Sequence, residues 1–257
     1  IGCARAWPIF SGFNNIMLQQ IKSACGAVIE YEHQPVSYPH ALDPLLEHLD
    51  SQRGALFASS FEYPGRYTCW DIGFYNPPLS ITAIQNKLYF TALNSRGEVL
   101  LSIMTSLIVN EPGIDRIEST ATGLIIAVHQ TQTAFMEEER SLQPSVFTVL
   151  RQIMNGFKIE EDYLGLYGAF GYDLVFQFEA LKPCQQRDGQ QRDMVVYLPD
   201  EILVINHRKE EAFIRRYDFY FQGKTTKGLA RTGASSPYNP ERTPDMNADH
   251  QAGEYAR

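Results

Sequence analysis

The chain has 257 residues, with 22 Lys and Arg against 30 Asp and Glu, so its formal net charge is −8. Hydrophobic residues make up 44 % and charged residues 20 %, the balance of a globular protein able to bury a core. An acidic chain with no Lys/Arg block argues against nucleic-acid binding, and its longest aliphatic stretch, Leu124–Val128, is far short of the roughly 20 residues of a membrane span.

The first readable element is a helix over Pro44–Arg53. Asp43 serves as N-cap, Pro44 takes the first helical position, and Leu42, Leu45, Leu46 and Leu49 form one apolar stripe. Gly54 closes it, and a strand follows over Ala55–Ser60. Short strands then run over Tyr67–Phe74, Leu79–Ile84 and Leu88–Leu93, with Val99–Val109 as the next apolar stretch after the turn Asn94-Ser95-Arg96-Gly97. Connections this short predict an antiparallel meander.

Residues 130–156 have helical spacing, broken at Pro144 and ended by Asn155-Gly156. Leu164–Phe170 is a glycine-punctuated strand, and Asp173–Phe178 a helical turn. Strands follow over Met194–Leu198 and Ile202–Asn206, the latter in a hairpin with the alternating strand Phe213–Phe221. The fold class is therefore α+β, an antiparallel sheet with a few helices. From Gly223 onward the only large aliphatic residues are Leu229 and Met246. The composition thus predicts a folded domain over 1–222 and a polar linker over 223–257. With the opening Ile1, it also predicts a piece of a longer protein.

Standard catalytic patterns are absent. Gly223-Lys224-Thr225 lacks the upstream glycine of a phosphate loop. Gly165, Gly168 and Gly171 read as close backbone packing in a buried strand. The six histidines are dispersed, and Glu137-Glu138-Glu139 spreads around a helix turn as a solvated face. Cys3, Cys25, Cys69 and Cys184 form no C-x-x-C pair, so they read as reduced thiols in a cytoplasmic protein. One segment carries more chemistry. In Ser59-Ser60-Phe61-Glu62, a strand places Ser60 and Glu62 on one face and Ser59 on the other. A hydroxyl and a carboxylate on one face suit the ammonium of a small zwitterion; the alternative is a polar strand end in a surface turn.

Four stretches resemble the N-terminal region of the anthranilate synthase large component, most closely the form fused to a glutamine amidotransferase. They are Gly54–Tyr67 (GALFASSFEYPGRY), Trp70–Leu79 (WDIGFYNPPL), Leu166–Glu179 (LYGAFGYDLVFQFE) and Arg192–Glu201 (RDMVVYLPDE). Asp249–Tyr255 resembles the approach to the chorismate-binding domain.

The resemblance implies the N-terminal half of a layered α/β sandwich. It implies conversion of chorismate and ammonia to anthranilate and pyruvate with Mg²⁺, the ammonia coming from an amidotransferase partner that uses glutamine. It also implies feedback inhibition by tryptophan between the two halves. The catalytic and metal-binding carboxylates belong to the other half, so no residue of this chain inherits a catalytic or metal role.

For the tryptophan site, the family stretch Leu-Leu-Glu-Ser corresponds to Phe57-Ala58-Ser59-Ser60. Ser60 matches the family serine and Ser59 replaces the glutamate. Either feedback is weak, or Glu62 and backbone carbonyls substitute. Trp70 falls near a further pocket position. The competing expectations are an aminodeoxychorismate or phenazine-type synthase fragment, and a free-standing amino-acid-binding module.

Overall fold

A computed structural model describes residues 17–58, 70–109, 111–129, 143–179 and 187–235. Its thirteen strands form two antiparallel sheets. Sheet 1 takes β1 (Met17–Lys22), β2 (Val28–Val36), β3 (Gly54–Ala58), β4 (Trp70–Tyr75), β11 (Glu201–Asn206) and β12 (Glu211–Phe221) in the order β1-β2-β12-β11-β4-β3. The short β13 (Lys224–Thr225) pairs with β12. Sheet 2 takes β5 (Leu79–Ile84), β6 (Lys87–Ala92), β7 (Ile114–Ser119), β8 (Gly123–Val128), β9 (Tyr167–Phe170) and β10 (Met194–Leu198) in the order β7-β8-β6-β5-β10-β9.

The chain changes sheets at Asn76-Pro77-Pro78 and again at Pro199-Asp200. Proline cannot donate to a ladder, so these are natural places for a strand to leave its sheet. The expected single meander is therefore wrong: Trp70–Tyr75 and Leu79–Ile84 lie in different sheets. The α+β class stands.

Alternation along β11 separates two cores. Ile202 and Val204 face the large core with sheet 2, whereas Leu203 and Ile205 face a small outer core. The large core joins Ile29, Tyr217 and Phe219 from sheet 1 to Ile81, Phe90, Ile126 and Val196 from sheet 2. Each such apolar side chain contributes about 1.5–3 kcal/mol on full burial.

The first helix, α1 (Asp43–Leu49), covers the outer face of sheet 1 through Leu45. It is shorter than expected: Leu42 is the N-cap, Asp43 is already helical, and Gly54 opens β3. Its close approach requires Gly73, where a Cβ would lie 2.2 Å from Leu45 Cδ2.

Val99–Val109, expected as a strand, lies almost wholly in the helix α2 (Ser95–Ile108). Asn94 caps it, its Oδ1 accepting from the Arg96 and Gly97 amides at 3.1 Å each. Val99, Leu100, Ile103, Met104 and Ile108 recur at helical spacing against the core. Of the expected helix over 130–156, residues 130–142 lie outside the described residues. The remainder is α3 (Val146–Phe157), which runs through Asn155-Gly156. Gln177, in the 3-10 turn Tyr172–Gln177, accepts from the Val146 amide at 3.0 Å. Among the described residues, no helix is long and apolar enough to cross a membrane.

The start of the expected linker is built into the fold. Thr226 is fully buried, and Arg96 Nη1 donates to the Thr226 and Leu229 carbonyls at 2.7 and 3.2 Å. Residues 226–235 form a strap over the α2 end of the sandwich. Hydrogen bonds to main-chain groups, rather than apolar burial, hold it there.

Candidate functional site

The stretch singled out in the sequence leads off the end of β3. Ser59, Ser60 and Glu62 lie outside the described residues; Trp70, on the neighbouring strand, lies within them. The last described rung of the β3–β4 ladder is Ala58 opposite Asp71, and Trp70 is the neighbouring residue of β4. It is half-buried and packs on the large core between the sheets.

Two edge strands, β3 of sheet 1 and β9 of sheet 2, meet at this mouth. The Phe57 ring is 6.1 Å from Tyr167, and buried Phe74 lies 6.0 Å from Tyr167 and 5.9 Å from Tyr197. Phe57 remains 39 % exposed, Phe170 56 % and Tyr172 90 %, so an aromatic rim faces outward. Phe170 stacks on Phe147, which stacks on Phe178, each pair at 5.8 Å. Gly168 and Gly171 fit the close-packing expectation, since Cβ atoms there would meet the Val195 and Asp193 carbonyls at 2.1 and 2.8 Å. Gly165 has no such contact, and β9 is an edge strand rather than a buried one.

Behind the rim lies a carboxylate that the sequence did not flag. Glu161 Oε2 accepts from the Tyr163 and Leu164 amides at 2.9 and 2.7 Å and from Tyr217 Oη at 2.6 Å. Its Oε1 faces Arg215 Nε at 3.3 Å. The Arg215 guanidinium sits over Tyr31, Tyr163 and Phe213, 5.2 to 5.8 Å from their centroids. Burial and the Glu161 charge push the Tyr167 hydroxyl up to about 12, and raise Tyr217 further. These phenols are held protonated as donors and orient the mouth; they do not exchange protons near neutrality. The only signal for Glu161 in the sequence is an acid two residues before an aromatic in a polar loop, which is weak.

On the outer face, Asp71 Oδ2 meets His207 Nε2 at 2.8 Å, and His207 Nδ1 meets Tyr38 Oη at 3.0 Å. This chain of side chains ties β4 and the β11–β12 turn to the loop before α1. Among the described residues, no group of three or more His, Cys, Asp or Glu is placed to hold a metal ion. The arrangement is an exposed aromatic rim backed by an internally hydrogen-bonded carboxylate.

No family model matches the chain. It is similar to an anthranilate synthase of Azospirillum brasilense, 38 % identical over 218 residues, covering 84 % of this chain and 30 % of that protein. It is also similar to anthranilate synthase component 1 of Escherichia coli (strain K12), 28 % identical over 140 residues, covering 53 % of this chain and 26 % of that protein. Component 1 of Haemophilus influenzae is 25 % identical over 223 residues, covering 81 % of this chain and 40 % of that protein. The chain thus spans between a quarter and two fifths of the length of these relatives.

Proposed function

This chain is a relative of the anthranilate synthase large component, and we propose that it forms the non-catalytic, inhibitor-responsive N-terminal part of such an enzyme. The observation that carries this reading is the 38 % identity to the Azospirillum brasilense protein, which runs through 84 % of this chain yet takes up only 30 % of that one. In this reading the two-sheet body is one half of the layered sandwich. The other half binds chorismate and Mg²⁺ and does the lyase chemistry, releasing anthranilate and pyruvate. An amidotransferase domain or subunit delivers ammonia from glutamine, and the assembly works in the cytoplasm.

Tryptophan binds where β3 ends, with Ser59, Ser60, Glu62 and Trp70 contributing one side of the pocket. The place of Trp70 on β4, next to the Ala58–Asp71 rung from which the chain runs on to Ser59, supports this assignment. A ligand that bridges two bodies shifts their arrangement by its differential affinity for each state. The exposed rim of Phe57, Phe170 and Tyr172 is the surface offered to the catalytic body.

The test is a chimera in which this chain replaces the matching 218-residue stretch of the Azospirillum brasilense enzyme. Anthranilate fluorescence is then followed with chorismate, ammonia and Mg²⁺. The chimera is expected to turn over and this chain alone to be inactive. Anthranilate formation by the isolated chain, or a folded but inactive chimera, overturns the reading.

A further inference from the structure

The strap is held in two different ways along its length. Residues 226–231 are clamped from within. Arg96, 1 % exposed, donates to the Thr226, Leu229 and Tyr217 carbonyls and to the Asp200 and Asp218 carboxylates. Thr226 Oγ1 adds bonds to Asp218 Oδ1 and the Phe219 amide at 3.0 and 2.8 Å. Among the described residues, 232–235 find their hydrogen bonds at the surface, including one from Ser235 Oγ to the Ser51 carbonyl at 3.4 Å. Asn94 Nδ2 donates to the Thr232 carbonyl at 2.8 Å, and Ser235 forms one isolated antiparallel bridge with Gln52.

Between these two points Gly233 presses on Asn76. A Cβ at 233 would lie 2.4 Å from Asn76 Oδ1. Asn76 is in the left-handed region, with φ 48°; its amide donates to the Arg53 carbonyl at 2.7 Å and its Nδ2 to Gln52 Oε1 at 2.6 Å. Its Oδ1 is buried and has no hydrogen-bond partner among the described residues. Gly233 therefore covers an acceptor to which it makes no hydrogen bond. Lifting the strap end lets water reach Oδ1, and that hydration offsets the breaking of the weak surface bonds at Thr232 and Ser235. Room to move already exists, because Gly233 and Ala234 line a cleft of about 670 Å³ together with Arg53, Gly54 and Ala55.

We propose that residues 232–235 are a latch on the entrance of β3 that opens independently of the Arg96 clamp. The position of the chain at residue 235 then sets the order of residues 51–56, and through β3 reaches the mouth where that strand ends. The latch works through the strap, Asn76 and β3 alone, and it does not depend on the enzyme reading.

Hydrogen exchange resolved by peptide tests it on this chain. In the unmodified protein, residues 232–235 and 51–56 are expected to exchange at least tenfold faster than 224–229. Gly233→Ala is expected to speed exchange in 51–56 by a further tenfold or more and to leave 224–229 and 95–108 unchanged. Asn76→Gly keeps the left-handed backbone and removes Oδ1. The double variant is therefore expected to exchange no faster than Asn76→Gly alone. Unchanged exchange in 51–56, loss of protection spreading to 224–229, or additive effects in the double variant each overturn the latch. A Gly233→Ala chain that fails to fold by circular dichroism does so too, because latch and clamp would then be one unit.

Discussion

Arg96 and Asp200 form a direct ion pair inside the sandwich, with side chains 1 % and 3 % exposed, and they join the start of α2 to the second crossing between the sheets. Arg231 Nε approaches the same carboxylate at 3.5 Å, and Asp218 Oδ1 accepts from Arg96 Nη2 at 2.9 Å. Two cations and two anions thus balance, with Arg96 and Asp200 buried and Asp218 and Arg231 partly open to solvent. Burial pushes the Asp200 carboxyl up, while Arg96 and then Arg231 act against it.

Removing Arg96 leaves Asp200 and Asp218 with Arg231 as their one remaining cation among the described residues. It also takes a donor from the Thr226, Leu229 and Tyr217 carbonyls, of which Tyr217 keeps Arg231 at 3.1 Å. Arg96→Met is expected to cost about 3–5 kcal/mol. Urea denaturation followed by far-ultraviolet circular dichroism measures it. A loss under about 1 kcal/mol contradicts the assignment of this pair as a structural hub.

The mouth depends on β9 lying flat on β10. A Cβ at Gly168 would meet the Val195 carbonyl oxygen at 2.1 Å, and backbone cannot swing aside as a flexible side-chain end can. Gly168→Ala is expected to cost about 1–3 kcal/mol. It should also change the near-ultraviolet signal of Tyr167, whose ring touches Phe57 and Phe74. An unaltered aromatic spectrum contradicts it.

In the proposed tryptophan pocket of the chimera, a serine at position 59 would withhold a charge-assisted partner from the ligand's ammonium. Such a contact is worth about 1.5–3 kcal/mol. Ser59→Glu is expected to lower the tryptophan concentration for half-inhibition by about 10- to 100-fold. An unchanged inhibition curve removes position 59 from the pocket.

Tyr167 and Tyr217 keep their protons in the folded chain at a pH where unfolded tyrosines have lost theirs. The folded state therefore binds more protons above about pH 10, and stability falls as pH rises through and beyond that point. Below it, the contribution is fully present. Tyr217→Phe is expected to flatten this alkaline limb, read from midpoints of urea unfolding between about pH 9 and about pH 11. An equally steep limb in the variant contradicts a contribution from Tyr217.

Much of sheet 2 and the β11–β12 hairpin was legible because period-two patterns there sit between clear turn residues. Leu79–Ile84 and Met194–Leu198 match their strands residue for residue. Val99–Val109 misled because a run of Val, Ile and Leu suits a buried strand and a buried helix alike. The deciding feature was the side chain of Asn94, read as a turn but serving as a cap. The strands Met17–Lys22 and Val28–Val36 were invisible because charged and amide residues interrupt them, and because β12, the second partner of Val28–Val36, lies far away in the chain.

The site divided the same way. Trp70 was named through the resemblance alone, whereas the contacts of Glu161, Arg215 and Arg96 depend on distant neighbours that no local pattern reveals. Composition likewise hid the strap, since main-chain hydrogen bonding leaves no hydrophobic pattern to read.

Pairing of β2 with β12, which sets Val28 opposite Tyr220, also has a kinetic side. Sheet 1 cannot be completed on the ribosome until β12, which ends at Phe221, has followed β2, which ends at Val36. Meanwhile the nearby strands β5, β6 and β8 are free to zip together early. Loop closure over such a separation slows folding, so the emerging chain passes through a stage in which half the sandwich waits with an open edge for its last long strand.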